Sequence, residues 1–119
     1  MKTTKSHFRI FEAECRRLHK LWRLDGWHLE VYHEDIDEES NADECASINQ
    51  RSFKVRLGKK FPYDRFPPTV ENLKKLARHE MIHGLLEPLS SLSYSRFTTA
   101  DQLNSAEHEI LQRLMGLLP

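Results

Sequence analysis

Little in this chain points to a membrane, secreted or disordered protein. Among 119 residues there are two cysteines, four glycines and five prolines. Cys15 and Cys45 are too few for a disulfide framework, and neither belongs to a CxxC pair, so both read as reduced thiols. So little glycine and proline excludes a low-complexity chain. No apolar run approaches the roughly 18 residues that a membrane-spanning helix needs. The opening MKTTKSHFRIFEAECRR has neither the apolar centre nor the cleavage site of a secretory leader. The expectation is a cytoplasmic protein with no membrane partner. Net charge is also missing, with 18 Lys and Arg against 18 Asp and Glu. A protein that coats nucleic acid carries a basic surplus, so nucleic acid is disfavoured as a partner. The length suits one domain over residues 1–119.

What stands out is histidine, seven residues in all. The chain must first be divided to place them. Phe8, Phe11, Cys15, Leu18 and Trp22 recur at helical spacing, which predicts a helix over residues 5–24, stopped by Asp25-Gly26. Residues 27–33 alternate, with Trp27, Leu29 and Val31 on one face of a strand. From Glu34 to Glu44 there are seven carboxylates in eleven residues. That run lacks the spacing and central glycine of a calcium loop and reads as a solvated hairpin loop. Between Cys45 and Leu57 the apolar register switches from Ala46 and Ile48 to Phe53, Val55 and Leu57, so a turn is expected at Asn49–Ser52. The expected product is a three-stranded antiparallel sheet with Lys54 and Arg56 facing water. Thr69 caps a helix from Val70 to about Glu87, ended by Pro88. Its second half, HEMIHGLLEPL, is apolar at nearly every angle and predicts burial on most sides. Thr99 and Gln102 fit a capping box for a last helix from about Ala100 to Leu117, whose core face is Leu103, Ala106, Ile110, Leu111, Leu114, Leu117 and Leu118. The fold class is α+β.

His79-Glu80-Met81-Ile82-His83 is an HExxH motif. Histidines at i and i+4 project from one helix face and can both reach one zinc ion, while the glutamate beside the first can act on water bound there. The competing reading is a pair of hydrogen-bonded core histidines with a salt-bridged Glu80. Catalytic zinc takes a third protein ligand and keeps one position open. Glu87, eight residues after His79, lies about 12 Å along the axis and is too far. Neither Leu86 nor Leu89 supplies the glycine and histidine of a metzincin. The last helix offers Glu107, His108 and Glu109. On a helical wheel Glu107 falls inside the apolar face, His108 on its flank and Glu109 opposite. A glutamate in an apolar stripe is costly without a cation, so Glu107 is the expected third ligand, with an Arg or Lys partner as the alternative.

HExxH followed by a distant helical glutamate resembles the gluzincin pattern of the zincin metallopeptidases. The strands-then-HExxH-helix order is also zincin-like. HEMIHGLLEPLSSL and AEHEILQRLMGLL are similar to segments of small metallopeptidases encoded by phages and prophages. The chain departs from the pattern in having no substrate-binding lobe, no supporting Asp after Glu107 and no evident His or Tyr motif for the oxyanion. The resemblance implies a minimal zincin-like fold, one zinc ion on His79, His83 and Glu107, and Glu80 as the general base for hydrolysis of a peptide or protein substrate. It further implies an edge strand that pairs with extended substrate, for which residues 52–57 are the candidate. Tyr63, Tyr94 or Arg96 could assist the oxyanion, against the competing reading of each as an ordinary surface or loop residue. Two alternatives compete. One is a zinc-stabilised interaction module without turnover. The other is a SprT-like protease associated with DNA through the basic segment Lys54, Arg56, Lys59, Lys60 and Arg65, which otherwise reads as a solvated face.

Overall fold

A computed structural model describes residues 1–93 and 98–115. It contains three helices and three strands: α1 (Lys5–Leu21), β1 (His28–Glu34), β2 (Ala42–Ser47), β3 (Ser52–Gly58), α2 (Val70–Ser93) and α3 (Ala100–Met115). The α+β class holds. In α1, Thr4 caps the helix by accepting from the His7 amide, while its own amide donates to His7 Nδ1. Phe11, Glu14, Cys15 and Leu18 form the buried face. The helix ends before Asp25-Gly26, and the left-handed residue beyond it is Arg23, with φ of 52°.

The sheet is mixed, and this corrects the antiparallel expectation. Its order is β1-β3-β2: β2 and β3 form an antiparallel hairpin, but β1 runs parallel to β3. The acidic connection after β1 therefore crosses the end of β3. Gly58 permits the crossing. A Cβ there would lie 3.0 Å from the Asn41 carbonyl and 3.2 Å from the Ile36 side chain, and the Gly58 amide donates to Asn41 O at 2.8 Å. Residues 52–57 are consequently central rather than an edge, and cannot receive another strand. The edges are β1 and β2.

Register places Leu29 and Val31 of β1, Phe53, Val55 and Leu57 of β3, and Ala42, Glu44 and Ala46 of β2 on one face. Helices α1 and α2 cover that face. Phe11, Cys15, Leu24, Phe53, Val55, Leu57, Phe61, Leu73 and Met81 are wholly buried there. Lys54 and Arg56 lie on the other face, where they are half-buried in an ion-pair ladder instead of simply facing water. Arg56 binds Asp43 at 2.5 Å and Glu34 at 3.4 Å, and Lys54 lies 3.8 Å from Glu34.

Two further expectations are corrected. Helix α2 continues through Pro88 to Ser93. Proline removes only the bond to the Gly84 carbonyl one turn back. Pro88 is buried and the segment packs on α3, so tertiary contact outweighs that one bond. Helix α3 does not bury its leucine stripe. Ala106 and Ile110 are buried, whereas Leu103, Leu111 and Leu114 are exposed. The packed face is turned toward Glu109, which accepts from Arg51 at 2.9 Å and from Arg113 at 3.1 Å. This ionic clamp, with Arg51 stacked over Trp27, sets the rotation of α3. Leu117 and Leu118 lie outside the described residues. No helix among the described residues is long and apolar enough to cross a membrane.

Candidate metal and acid-base site

The HExxH motif lies in the middle of α2, where Leu73, Ala77, Met81 and Leu85 repeat at helical spacing and turn one face to the core. The expected burial on most sides is not observed. His79, Ile82, His83 and Leu86 face outward, because α3 flanks α2 without covering it. His79 and His83 are exposed, their rings meet edge-on with centroids 4.9 Å apart, and their Nε2 atoms are 3.3 Å apart. Two nitrogens at zinc–nitrogen distances of about 2.0–2.1 Å and a tetrahedral angle are separated by about 3.3–3.4 Å. The pair thus has the span of two adjacent ligands; it also accommodates one N–H···N hydrogen bond.

Glu80 turns the other way, to the seam between α2 and β2. It is 6% exposed, and its carboxylate lies 3.9 Å from His79 Nε2. Burial raises its pKa above the ordinary carboxylate range and Asp43 adds to this, while His79 and His83 oppose it. A cleft of about 350 Å³ opens beside His79 and Glu80, walled by Ser40, Asn41 and Ala42 at the start of β2 and by Phe66. An apolar cavity of about 490 Å³, between Trp27, Pro88 and α3, contains none of the HExxH residues. The small cleft is the relevant one, since it adjoins His79 and Glu80 of the motif.

Glu107 does not join them. It is exposed on α3, on the same outward side as Leu103, Leu111 and Leu114. Among the described residues no three His, Cys, Asp or Glu side chains are grouped closely enough to hold a metal ion. The structure therefore assembles His79, His83 and Glu80 but leaves Glu107 apart. His108 is also exposed, and Glu109 belongs to the arginine clamp. Tyr63 is exposed and stacks under Arg65; Tyr94 and Arg96 lie outside the described residues.

A residue that the sequence reading overlooked is Glu44. It sits on the helix-covered face of β2, one step from Ala42 and Ala46 in the alternation. Its signal was available: extending the register of Ala46 back by two positions reaches Glu44. Glu44 hydrogen-bonds Glu87 of α2, and its Oε2 is buried without a partner among the described residues. Burial, the Glu87 bond and repulsion by Glu87, Glu80 and Asp43 push its pKa up to about 9. Unfolded, the carboxyl ionises near 4.5. Between those values the native state holds the extra proton, so this group's contribution is complete at low pH and is lost as pH rises through the folded value. Glu44→Gln, which copies the protonated form, is expected to raise the melting temperature by about 5 °C at pH 8 and by almost nothing at pH 4. Thermal melts at both pH values test this, and a larger gain at pH 4 would refute it.

No family model, curated protein or solved structure matches the chain.

Proposed function

We propose that the chain is a zinc-dependent peptidase of zincin type, with His79 and His83 as ligands and Glu80 as general base. The observation that carries the reading is the conjunction on one helix of an open imidazole pair at ligand spacing and, beside it, a buried glutamate whose pKa burial raises. A structural histidine pair would not need that glutamate, and a buried carboxylate without a task is costly.

Bound zinc would supply a Lewis acid that polarises the scissile carbonyl and activates water. Glu80 takes the proton of the attacking water and returns it to the leaving amine. Burial makes this carboxylate hold a proton more readily than an exposed one, which favours its taking the proton from water. The free edge of β2 borders the α2 seam, so it replaces residues 52–57 as the strand that would pair with an extended peptide. Glu107 of α3, exposed and apart from the histidine pair here, is kept as the proposed third ligand. The test is a proteomic cleavage assay: wild type should generate new N-termini that Glu80→Gln does not. The same comparison separates a peptidase from a zinc-stabilised module, which would show no cleavage in either.

A further inference from the structure

The basic segment of the sequence divides in two. Lys54 and Arg56 are consumed by Glu34 and Asp43, and Arg65 stacks on Tyr63. Lys59 and Lys60 instead meet the start of the chain. Residues 1–3 lie along residues 59–61: Lys2 bridges Lys60, Thr3 N donates to Lys59 O at 2.9 Å, and Phe61 N donates to Met1 O at 2.7 Å. This pairing brings Lys2, Lys5, Arg9, Lys59 and Lys60 around one groove of about 880 Å³. Among the described residues, none of the five makes an ion pair. Of the two acids at the groove, Glu12 is held by Arg16 at 3.3 Å, which leaves Asp35 as the acid that faces these cations.

The groove has a fixed floor. His33 stacks on Phe8 with centroids 5.3 Å apart and planes 5° from parallel. Thr3 Oγ1 donates its single proton to Gly58 O, so His33 Nε2 is the donor in the 2.7 Å bond to Thr3. The cations thus surround a pinned aromatic pair. The first turn of α1 contains no acid, and the positive end of that helix opens at the same place. In a chain of zero net charge, five cations without an ion pair among the described residues line one concave surface, against two acids there. The crossover acids Asp37 and Glu38 line an adjoining cleft with Asp35, Lys59 and Lys60, so the groove's acid border lies on that side.

We propose that this groove binds the phosphodiester backbone of a nucleic acid, independently of whether the HExxH site is a hydrolase. The partner's chemistry follows from the surface. Five cations along a groove match a line of phosphates, whereas a lone small anion would require a converging, buried set of donors. The expected mode is backbone binding without base reading.

The test is fluorescence anisotropy of a labelled 20-nucleotide DNA strand, and of its duplex, with the full chain at several salt concentrations. The expected result is binding at low salt, with a slope of log K against log salt of about −3 to −5. Lys59→Glu/Lys60→Glu should weaken binding at least tenfold and flatten the slope. Lys5→Glu/Arg9→Glu, on the surface of α1, should do the same if the first variant folds poorly. Lys20→Glu, at the far end of α1, should change nothing. Absence of binding at 50 mM salt would overturn the proposal. So would binding that survives both groove variants, equal competition by inorganic pyrophosphate, or capture by phosphatidylserine vesicles without any binding of DNA.

Discussion

On the proposed peptidase reading, Glu80→Gln is expected to fold, to bind zinc as wild type does and to lose peptide hydrolysis by about 10²–10⁴-fold. Each part has a physical reason. Gln has the volume of Glu, so the buried position at the α2–β2 seam stays filled. Among the described residues the Glu80 side chain makes no hydrogen bond, and its contact with His79 Nε2 is 3.9 Å long, so the loss of charge breaks no close pair. Stability should hold or rise, because burial already penalises the ionised form. The amide cannot take a proton from water, and that is the function assigned to this position. Hydrolysis equal to wild type would remove Glu80 from the mechanism. Loss of zinc together with activity would make it a ligand instead of a base.

Gly84→Ala should destabilise the fold by about 2 kcal/mol, and lower the melting temperature by about 6–12 °C. Two effects compete. In a helix interior, alanine is favoured over glycine by about 1 kcal/mol. Against this, the added Cβ would lie 2.7 Å from Phe53 Cε2 and 3.0 Å from two more ring atoms. Phe53 is 1% exposed, with Trp27 and His19 against its ring, and cannot retreat. Overpacking therefore wins. Gly84 lets α2 lie close against Phe53 of β3, immediately after His83, so the same change should displace the histidine pair. A second substitution, Phe53→Leu, should recover part of the loss in the Gly84→Ala background while being harmful alone. Calorimetric melts of the four proteins measure that coupling. An unchanged or higher melting temperature for Gly84→Ala would show that α2 does not sit against Phe53.

The local patterns were legible in the sequence, and the global arrangement less so. Phe11, Cys15 and Leu18 announce α1 by their spacing, and the register switch between Ala46 and Phe53 marks the β2–β3 turn, which falls at residues 48–51. The path of β1 relative to β3 was not legible. It depends on whether the acidic connection folds back as a hairpin or crosses over Gly58, and that choice lies in the packing of Ile36 and Asn41. The rotation of α3 was hidden for a similar reason. Apolar periodicity favours burying Leu103, Leu111 and Leu114, but Arg51 and Arg113 converge on Glu109 from different parts of the chain. Glu107 was chosen because it lies among those leucines, and it stays outside with them. The HExxH spacing correctly joined His79 to His83, since i and i+4 proximity belongs to the helix itself. Glu44 is hidden because seven carboxylates in eleven residues look uniformly solvated until the strand that carries two of them is paired.

The central claim is that the histidine pair of α2 holds a divalent metal ion, and zinc titration of chelator-stripped protein by calorimetry tests it most directly. The account predicts one zinc per chain, more than about 100-fold weaker binding for His79→Ala and for His83→Ala, and a larger loss for Glu107→Ala than for Glu109→Ala. Wild-type protein that takes up no zinc, or histidine variants that bind it as tightly as wild type, would contradict the claim.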